Sequence, residues 1–481
     1  MKVTPLASAL RRHTRSEHSK RHSGVLIAGC ALLLSTALVS RAAAQATNYT
    51  AKWLGSFSAS EINAKGQAAG YILLNGGLKH AAIYSGGKII DLGVLPGGDS
   101  SQATSINAGG VVVGDSNTTG GVTHAFRWVN GVMTDLGTLP GGVESHAADI
   151  NDAGQIVGWG VTTRPNTTWP SPDHAFIYSG GVMKDLGNIS SNFANFSHAH
   201  AINASGDVVG WGVNDNFETH AFLYRGGVMI DLGTLGGSES RAHDISDNGT
   251  VVGWSYTADD GEILAFKHMG GTMTTIGKLT GELGSSAKAI NKLGDITGSS
   301  IESGSPAFIL TPTGGMTRLD SRVFGTGWNL EDAVSINDSG QILATGSQTW
   351  TSSGSYLLTP APAGPEIEVT QPATSSLVDG NSKKSFGTVK VGRTGSAKTF
   401  TITNAGSSKL TGLAITMTGQ QKGDFVVSAP TKTSLPPGSS TTFKVTFKPR
   451  AKGTRNAAIH IKSNDPNENP FDIKLTGQGA N

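Results

Sequence analysis

Histidine and aspartate carry most of the chemistry this chain could perform, and both recur at regular intervals. His80, His124, His174 and His220 form one set, and His146, His198, His200 and His243 another. Imidazoles suit zinc, but zinc needs three or four ligands converging on one point. Equivalent positions in a ring of repeats are spread around the ring and do not converge unless they line its channel. Hydrogen bonds that tie neighbouring strands or repeats are therefore the expected role. His198-Ala199-His200 is the local exception, because alternate strand residues face the same way. It still offers only two ligands.

The carboxylates are read in the same way. Asp91, Asp135, Asp185 and Asp231 each open an Asp-Leu-Gly phrase, which marks them as scaffold rather than as an acid/base pair. Asp149 and Asp244 precede a repeated Ile and could rim a channel. Asp259-Asp260-Gly261-Glu262 is an acidic loop that lacks the spacing of a calcium-binding hand, and a solvated loop is expected. No phosphate-binding loop, nucleophile elbow or His-Glu-x-x-His helix is present. The sequence points to no catalytic residue, no metal and no cofactor.

The elements that hold these residues follow from one repeated phrase: an Ile, a polar residue, two more residues and a Gly. Copies start at Ile62, Ile106, Ile150, Ile202, Ile245, Ile290 and Ile336, spaced by 44, 44, 52, 43, 45 and 46 residues. A period in the forties with strand-like segments signals a radial or solenoid repeat. The clearest copy contains His124–Trp128, Met133–Leu139, His146–Asn151 and Gln155–Trp159. Each segment is rich in branched or aromatic residues and bounded by Gly, Asn, Asp or Pro, which is strand chemistry with hairpin punctuation. No window of helical length shows a 3.6-residue period. Four strands per repeat and seven repeats predict a seven-bladed β-propeller, with a β-solenoid as the alternative. We label the strands a (His146–Asn151 type), b, c (His124–Trp128 type) and d.

The last repeat lacks strand d, and Lys52–Phe57 near the beginning matches Thr134–Leu139. The N-terminal strand is thus expected to complete the last blade and remove an open edge. Trp159, Trp211 and Trp254, at the end of strand b, are expected to pack between blades rather than form a sugar platform.

On His-Ala-Phe at His124, His174 and His220, Asp-Leu-Gly at the four aspartates, and the Ile-Asn-x-x-Gly phrase, residues 52–359 resemble the HAF family of bacterial extracellular repeats. The later repeats depart from it, with Leu264-Ala265-Phe266, Pro306-Ala307-Phe308 and Ser355-Tyr356-Leu357 in place of the motif. The resemblance implies a surface or extracellular location and no reaction.

After a proline-rich linker at 359–365 come seven short strand-like segments, which predict an immunoglobulin-like β-sandwich over 366–481. Phrases such as Val445-Thr446-Phe447-Lys448-Pro449 and Ser463-Asn464-Asp465-Pro466 resemble the choice-of-anchor D and Hydin-like Ig domains. These imply an interaction or spacer module.

The formal charge of +2 is unevenly divided. Residues 47–364 carry 15 Lys/Arg against 27 Asp/Glu, and residues 365–481 carry 15 against 7. An acidic propeller argues against nucleic acid, which needs a basic track. Residues 1–46 read as a signal peptide: Arg11, Arg12, Arg15, Lys20 and Arg21, an apolar run over Gly24–Val39, then Ala42-Ala43-Ala44. Cleavage there would remove Cys30, the one cysteine, and leave no transmembrane segment. Ile27-Ala28-Gly29-Cys30 also looks like a lipoprotein box, although the apolar run continues past the cysteine. The domain expectation is a signal peptide at 1–46, a propeller at 47–358, the linker and the sandwich.

Scaffold turns repeat, whereas binding loops vary. The 52-residue repeat places its extra length in Gly160–Asp173, with Arg164 and Trp169, and in Asn188–Ser197, with Phe193 and Phe196. Exposed aromatics mixed with Asn and Arg suit an extracellular glycan or protein. Mutual packing within stiffened loops is the other reading. The expected function is a secreted or cell-surface binding or scaffold protein. The alternative is a propeller hydrolase or lyase acting on extracellular polysaccharide.

Overall fold

The computed structural model describes residues 48–162, 173–190, 196–301, 306–349, 353–373 and 375–481. It is all-β. Seven four-stranded antiparallel sheets follow one another along the chain, and an eighth and ninth form a sandwich near the C-terminus. Each blade runs in the order a-b-c-d. Blade 3, for example, is Ser145–Ile150, Ile156–Val161, Asp173–Ser179 and Val182–Gly187. Every a strand ends on the repeat isoleucine, and the a strands of adjacent blades touch around the ring, including blades 7 and 1.

The seventh blade is completed by the chain's own beginning. Tyr49–Trp53 pairs antiparallel with Gly354–Pro360, from Tyr49 opposite Pro360 to Trp53 opposite Tyr356. The strand lies three residues upstream of where the sequence suggested, but the phase is the expected one. Leu54 donates its N–H to the Ser355 carbonyl, as Leu136 does to Ala125. This register also corrects the motif alignment in blade 7, where Gly354-Ser355-Tyr356 takes the place of His-Ala-Phe. The Trp53 indole fills the space that the histidine occupies elsewhere, so a Cβ on Gly354 would lie 2.8 Å from its Nε1.

Apolar burial sits between blades. The motif phenylalanines Phe126, Phe176, Phe222, Phe266 and Phe308 are fully buried and pack on Leu, Val and Ile of a neighbouring blade. Phe57 and Ile62 of the first blade join Leu54, Leu343 and Leu357 of the last in one cluster, which closes the ring. Burial of such a side chain contributes about 1.5–3 kcal/mol.

Two polar devices repeat with the core. The side chain of the repeat asparagine donates to the main-chain carbonyl of its counterpart in the next blade: Asn63 to Asn107, Asn107 to Asn151, Asn151 to Asn203, Asn203 to Ser246, Asn291 to Asn337 and Asn337 back to Asn63, at 2.9–3.3 Å. The belt is interrupted at blade 5, where Ser246 replaces asparagine. Ser101, Ser145, Ser197, Ser240 and Ser285, all buried, each accept the N–H of a c-strand alanine in the preceding blade and donate to a glycine carbonyl there.

A bulge breaks every a strand just before the isoleucine, as between Ala147 and Asp149. The partner position on strand b is glycine in six blades. A Cβ on Gly158 would lie 1.9 Å from the His146 carbonyl oxygen, so only glycine lets the bulged strand approach this closely.

The C-terminal sandwich packs a sheet of Ile367–Thr370, Lys398–Asn404, Ser440–Phe447 and Phe425–Val427 against one of Lys383–Lys390, Phe471–Ala480, Gly453–Lys462 and Ala414–Thr418. Phe400, Phe443, Phe447, Phe471 and Ile473 fill its core. Asp424 is buried against the Arg455 guanidinium and accepts the Arg450 N–H at 3.1 Å. Among the described residues no helix is long and apolar enough to cross a membrane.

Candidate functional site

The motif histidines and aspartates pair with each other. His80, His124, His174 and His220 on strand c place Nδ1 2.8–3.0 Å from Asp91, Asp135, Asp185 and Asp231 on strand d. Oδ1 of each aspartate also accepts the N–H of the glycine two residues on. Burial pushes the Asp231 carboxyl up, but the His220 hydrogen bond, the Gly233 N–H and the His220 charge outweigh it, and the pKa is lowered. The His220 pKa is raised, chiefly by its hydrogen bond to Asp231. Where the histidine is lost the aspartate is lost too: Leu264 accompanies Thr275, Pro306 accompanies Arg318 and Gly354 accompanies Trp53. The pair is a clamp between strands c and d.

A second set breaks the repeat symmetry. In blades 3, 4 and 5 the second position of the a-strand pairing holds His146, His198 and Arg241, opposite Trp159, Trp211 and Trp254 on strand b. Blades 1, 2 and 6 have Ser58/Tyr71, Gln102/Asp115 and Ser286/Ser299 instead. The six side chains stack in one continuous ladder. His146 lies 3.8 Å from Trp159, which lies 4.4 Å from His198, which lies 4.4 Å from Trp211, all as ring centroids. The Arg241 guanidinium then bridges Trp211 and Trp254 at 4.7 and 5.7 Å. His146 and His198 are anchored by Asp115 at 2.9 Å and Asp173 at 3.4 Å. The tryptophans thus pack between blades, and their faces are covered by neighbours. All six groups are half-buried, at the end of the strands where the b–c and d–a loops emerge.

His198 and His200 do not converge. The bulge between Ala199 and Ala201 sends His198 into the ladder and His200 to the central channel. There His200 stands beside His243, with ring centroids 5.8 Å apart, and Lys288 follows at the equivalent position. His200 Nδ1 donates to the Ala242 carbonyl at 3.0 Å, and His243 Nδ1 to that of Ala287 at 2.8 Å. Burial lowers the His200 pKa to about 4; burial, then the Lys288 charge, lowers that of His243 to about 3. Both rings are neutral at ordinary pH.

One residue further along each inner strand, Glu61, Asp149 and Asp244 alternate with uncharged side chains. Asp149 accepts the Ile150 and Ile202 N–H groups at 2.7 and 2.8 Å and the Ser105 hydroxyl at 2.7 Å. Asp244 accepts the Ile245 and Ile290 N–H groups, both at 2.7 Å. Each carboxylate therefore satisfies amides of two blades next to the bulges. Burial pushes Asp244 up to about 7 and raises Asp149; burial and the Asp149 charge raise Glu61 well above the carboxylate range. These residues surround a channel cavity of about 310 Å³. A second, of about 230 Å³, lies toward the a–b turns.

Of the loop residues singled out from sequence, Arg164, Trp169 and Phe193 lie outside the described residues. Phe196 is 41% exposed and directly precedes the ladder strand of blade 4. In the acidic loop, Asp260 accepts the Ser238 N–H at 2.7 Å and Glu262 pairs with Lys278 at 2.8 Å. Among the described residues, the one group of three carboxylates and imidazoles close enough to hold a metal is Glu366, Asp465 and Glu468. Both oxygens of Asp465 already accept main-chain N–H groups.

Comparison with known proteins places the C-terminal region first. A family model described as Cep192 domain 4 matches residues 377–480. No curated protein matches the chain. Among solved structures, the ASH / PapD-like domain 7 of human CEP192 is similar at 16% identity, covering 24% of this chain and 84% of that one with a TM-score of 0.16. The extracellular domain of a protein described as a hybrid two component system from B. thetaiotaomicron is similar at 11% identity and a TM-score of 0.35; the match covers 89% of this chain and 57% of that one. A puromycin-hydrolyzing peptidase of Mycobacterium tuberculosis is similar at 12% identity, covering 70% and 62%, with a TM-score of 0.40. At these identities no chemistry is carried across.

Proposed function

We propose that this chain is an exported, non-enzymatic binding or scaffold protein of the HAF-repeat kind. Its propeller presents the face bearing the b–c and d–a loops to an extracellular glycan or protein, and its Ig-like domain, of the choice-of-anchor D type, serves as a spacer. The observation that carries the reading is the ladder from His146 to Trp254. A group that only ties strands within its own blade serves the blade, and the His–Asp clamps between strands c and d of blades 1–4 are of that kind. The ladder is confined to blades 3–5, and the two long loops expected to carry ligand contacts belong to blade 3 and to the connection from blade 3 to blade 4. Ring edges, imidazoles and a guanidinium gathered there suit a hydroxyl-rich or peptide surface. The polysaccharide-enzyme alternative needs free carboxylates, and those of Asp149 and Asp244 are engaged by two main-chain amides each.

A binding screen of the purified protein against glycans and cell-wall polymers tests this. Saturable binding without new reducing ends or unsaturated products is expected. Alanine at Trp169 or Phe196 should weaken it by about 1–3 kcal/mol each, with little change in melting. Turnover of a polysaccharide, or a Trp169/Phe196 double variant that binds as tightly as the parent, would overturn the reading.

A further inference from the structure

The channel carries a second asymmetry, independent of the loop face. At the bulge position four blades contribute Ser60, Thr104, Ala148 and Val334, while three consecutive blades contribute His200, His243 and Lys288. The two imidazoles spend their Nδ1–H on main-chain carbonyls, which fixes the tautomer and leaves Nε2 as a lone-pair acceptor. The Lys288 ammonium makes no hydrogen bond or ion pair with any described residue. The wall of the cavity thus sets two unused acceptors beside one unused donor.

We propose that the channel binds a neutral polyhydroxylated ligand, a single sugar ring or a polyol, on His200, His243 and Lys288. A hydroxyl group both donates and accepts, so neighbouring hydroxyls can give protons to the Nε2 atoms and receive one from Lys288. The charged alternatives fit less well. An anion would pair with Lys288 but brings no proton for the imidazoles, and it would share the cavity with Asp149 and Asp244. A divalent metal would find two imidazoles but also an ammonium in the same arc, and no third ligand within reach among the described residues. A cavity of about 310 Å³ lies at the small end of ligand pockets, which suits one ring rather than an oligosaccharide.

The test is ligand-observed NMR and calorimetry on the purified protein with glucose, galactose, mannose and myo-inositol at millimolar concentration. Glucuronate and zinc chloride serve as the charged arms. At least one neutral probe should bind saturably. Lys288→Met should weaken it about tenfold, the loss of one hydrogen bond to a charged group, without lowering the melting temperature. His243→Asn keeps a donor for the Ala287 carbonyl, removes the Nε2 acceptor and should weaken binding by a similar factor. Phe196→Ala should leave it intact. No neutral probe binding, preferential binding of glucuronate or zinc, binding unchanged in both channel variants, or binding lost in Phe196→Ala alone would each overturn the proposal. The last outcome would place the sugar on the loop face and leave the proposed function standing.

Discussion

The asparagine belt can be taken apart at a single residue, because the protein supplies its own control. Asn151 is buried and makes three side-chain hydrogen bonds. Its Nδ2 donates to the Asn203 carbonyl of the next blade at 3.0 Å and to Gln155 Oε1 at 2.8 Å, and its Oδ1 accepts the Gln155 N–H at 3.0 Å. Asn151→Ala removes all three. The Asn203 carbonyl keeps the Gly206 N–H, and the Gln155 side chain is half-buried and can reach water. The Gln155 N–H is left without an acceptor. Orphaning that amide costs about 1–3 kcal/mol, and the lost bond between blades about 0.5–1.5 more. Asn151→Ser should cost the second part and a share of the first. In blade 5 the Thr250 N–H is shared between Ser246 Oγ at 3.2 Å and Asn248 Oδ1 at 3.0 Å, so serine keeps part of the turn bond while giving up the reach to the next blade.

For a chain of this length roughly 2 °C of melting temperature follows each kcal/mol. Scanning calorimetry and urea titration of the parent and both variants should therefore rank parent, serine, alanine. The alanine variant should lie about 1.5–4.5 kcal/mol below the parent. The reverse change, Ser246→Asn, should restore a donor for the Asn291 carbonyl and stabilise by up to about 1 kcal/mol. An alanine variant within about 0.5 kcal/mol of the parent would refute a mechanical role for the belt. A serine variant as damaged as the alanine one would refute the division into turn and interblade parts.

Three further outcomes are expected. Deleting residues 47–53 should unpair Gly354–Pro360 and uncover Leu358, lowering stability by several kcal/mol, roughly one per lost strand hydrogen bond plus the burial of Tyr49, and promoting aggregation seen by light scattering; a truncated protein that melts like the parent would show that the ring does not depend on this strand. Arg455→Met should cost about 3–5 kcal/mol in the sandwich, because Asp424 would remain buried without its guanidinium; a calorimetric transition unmoved by the change would refute this. The folded pKa of about 3 for His243 lies below its ordinary value, so the unfolded chain binds more protons between roughly pH 3 and 6.5; stability from this group is fully present above that window and is lost as pH falls through it, whereas Asp244, raised to about 7, loses stability as pH rises from about 4 to 7. Comparing urea titrations of the parent and His243→Asn isolates the histidine: the variant should lose about 1.4 kcal/mol less per pH unit on acidification within that window, and identical slopes would refute a neutral buried ring.

Much of the architecture was legible because period-2 strands, glycine turns and a fixed repeat length are all local signals. The missing strand d after Leu358 and the orphan at Lys52–Phe57 together located the closure. The phase was right because Leu54 is the leucine of the Asp-Leu-Gly phrase, although no aspartate precedes it. What remained hidden depends on the bulge. Strict alternation put His198 and His200 on one face, and one extra residue separated them. Gly158, Gly210 and Gly253, each amid Val, Ile or Trp in strand b, were the available clue, because a glycine inside a strand marks close backbone approach. The serine staple left no such trace. A serine at the start of a strand looks like any polar residue until the neighbouring blade places an alanine N–H and a glycine carbonyl on either side of it.

The departures from symmetry separate into two kinds, and the distinction bears on function. Some are compensated within a blade: where Leu264 replaces the histidine, the Thr275 hydroxyl turns to the Ala265 carbonyl and accepts the Gly277 N–H, and beside Gly354 the Trp53 indole takes up the space, and the strand pairing stays intact. These replace one scaffold solution with another. The ladder and the channel arc do not. His198 and Arg241 extend a stack across blade boundaries, and Lys288 places an unpaired charge in a channel, which no strand pairing requires. An uncompensated buried polar group costs stability. Both features fall on the same side of the ring, blades 3–5 on the loop face and blades 4–6 in the channel, overlapping at blades 4 and 5. A ligand reaching the loop face at that overlap would stand above the histidines of the channel wall.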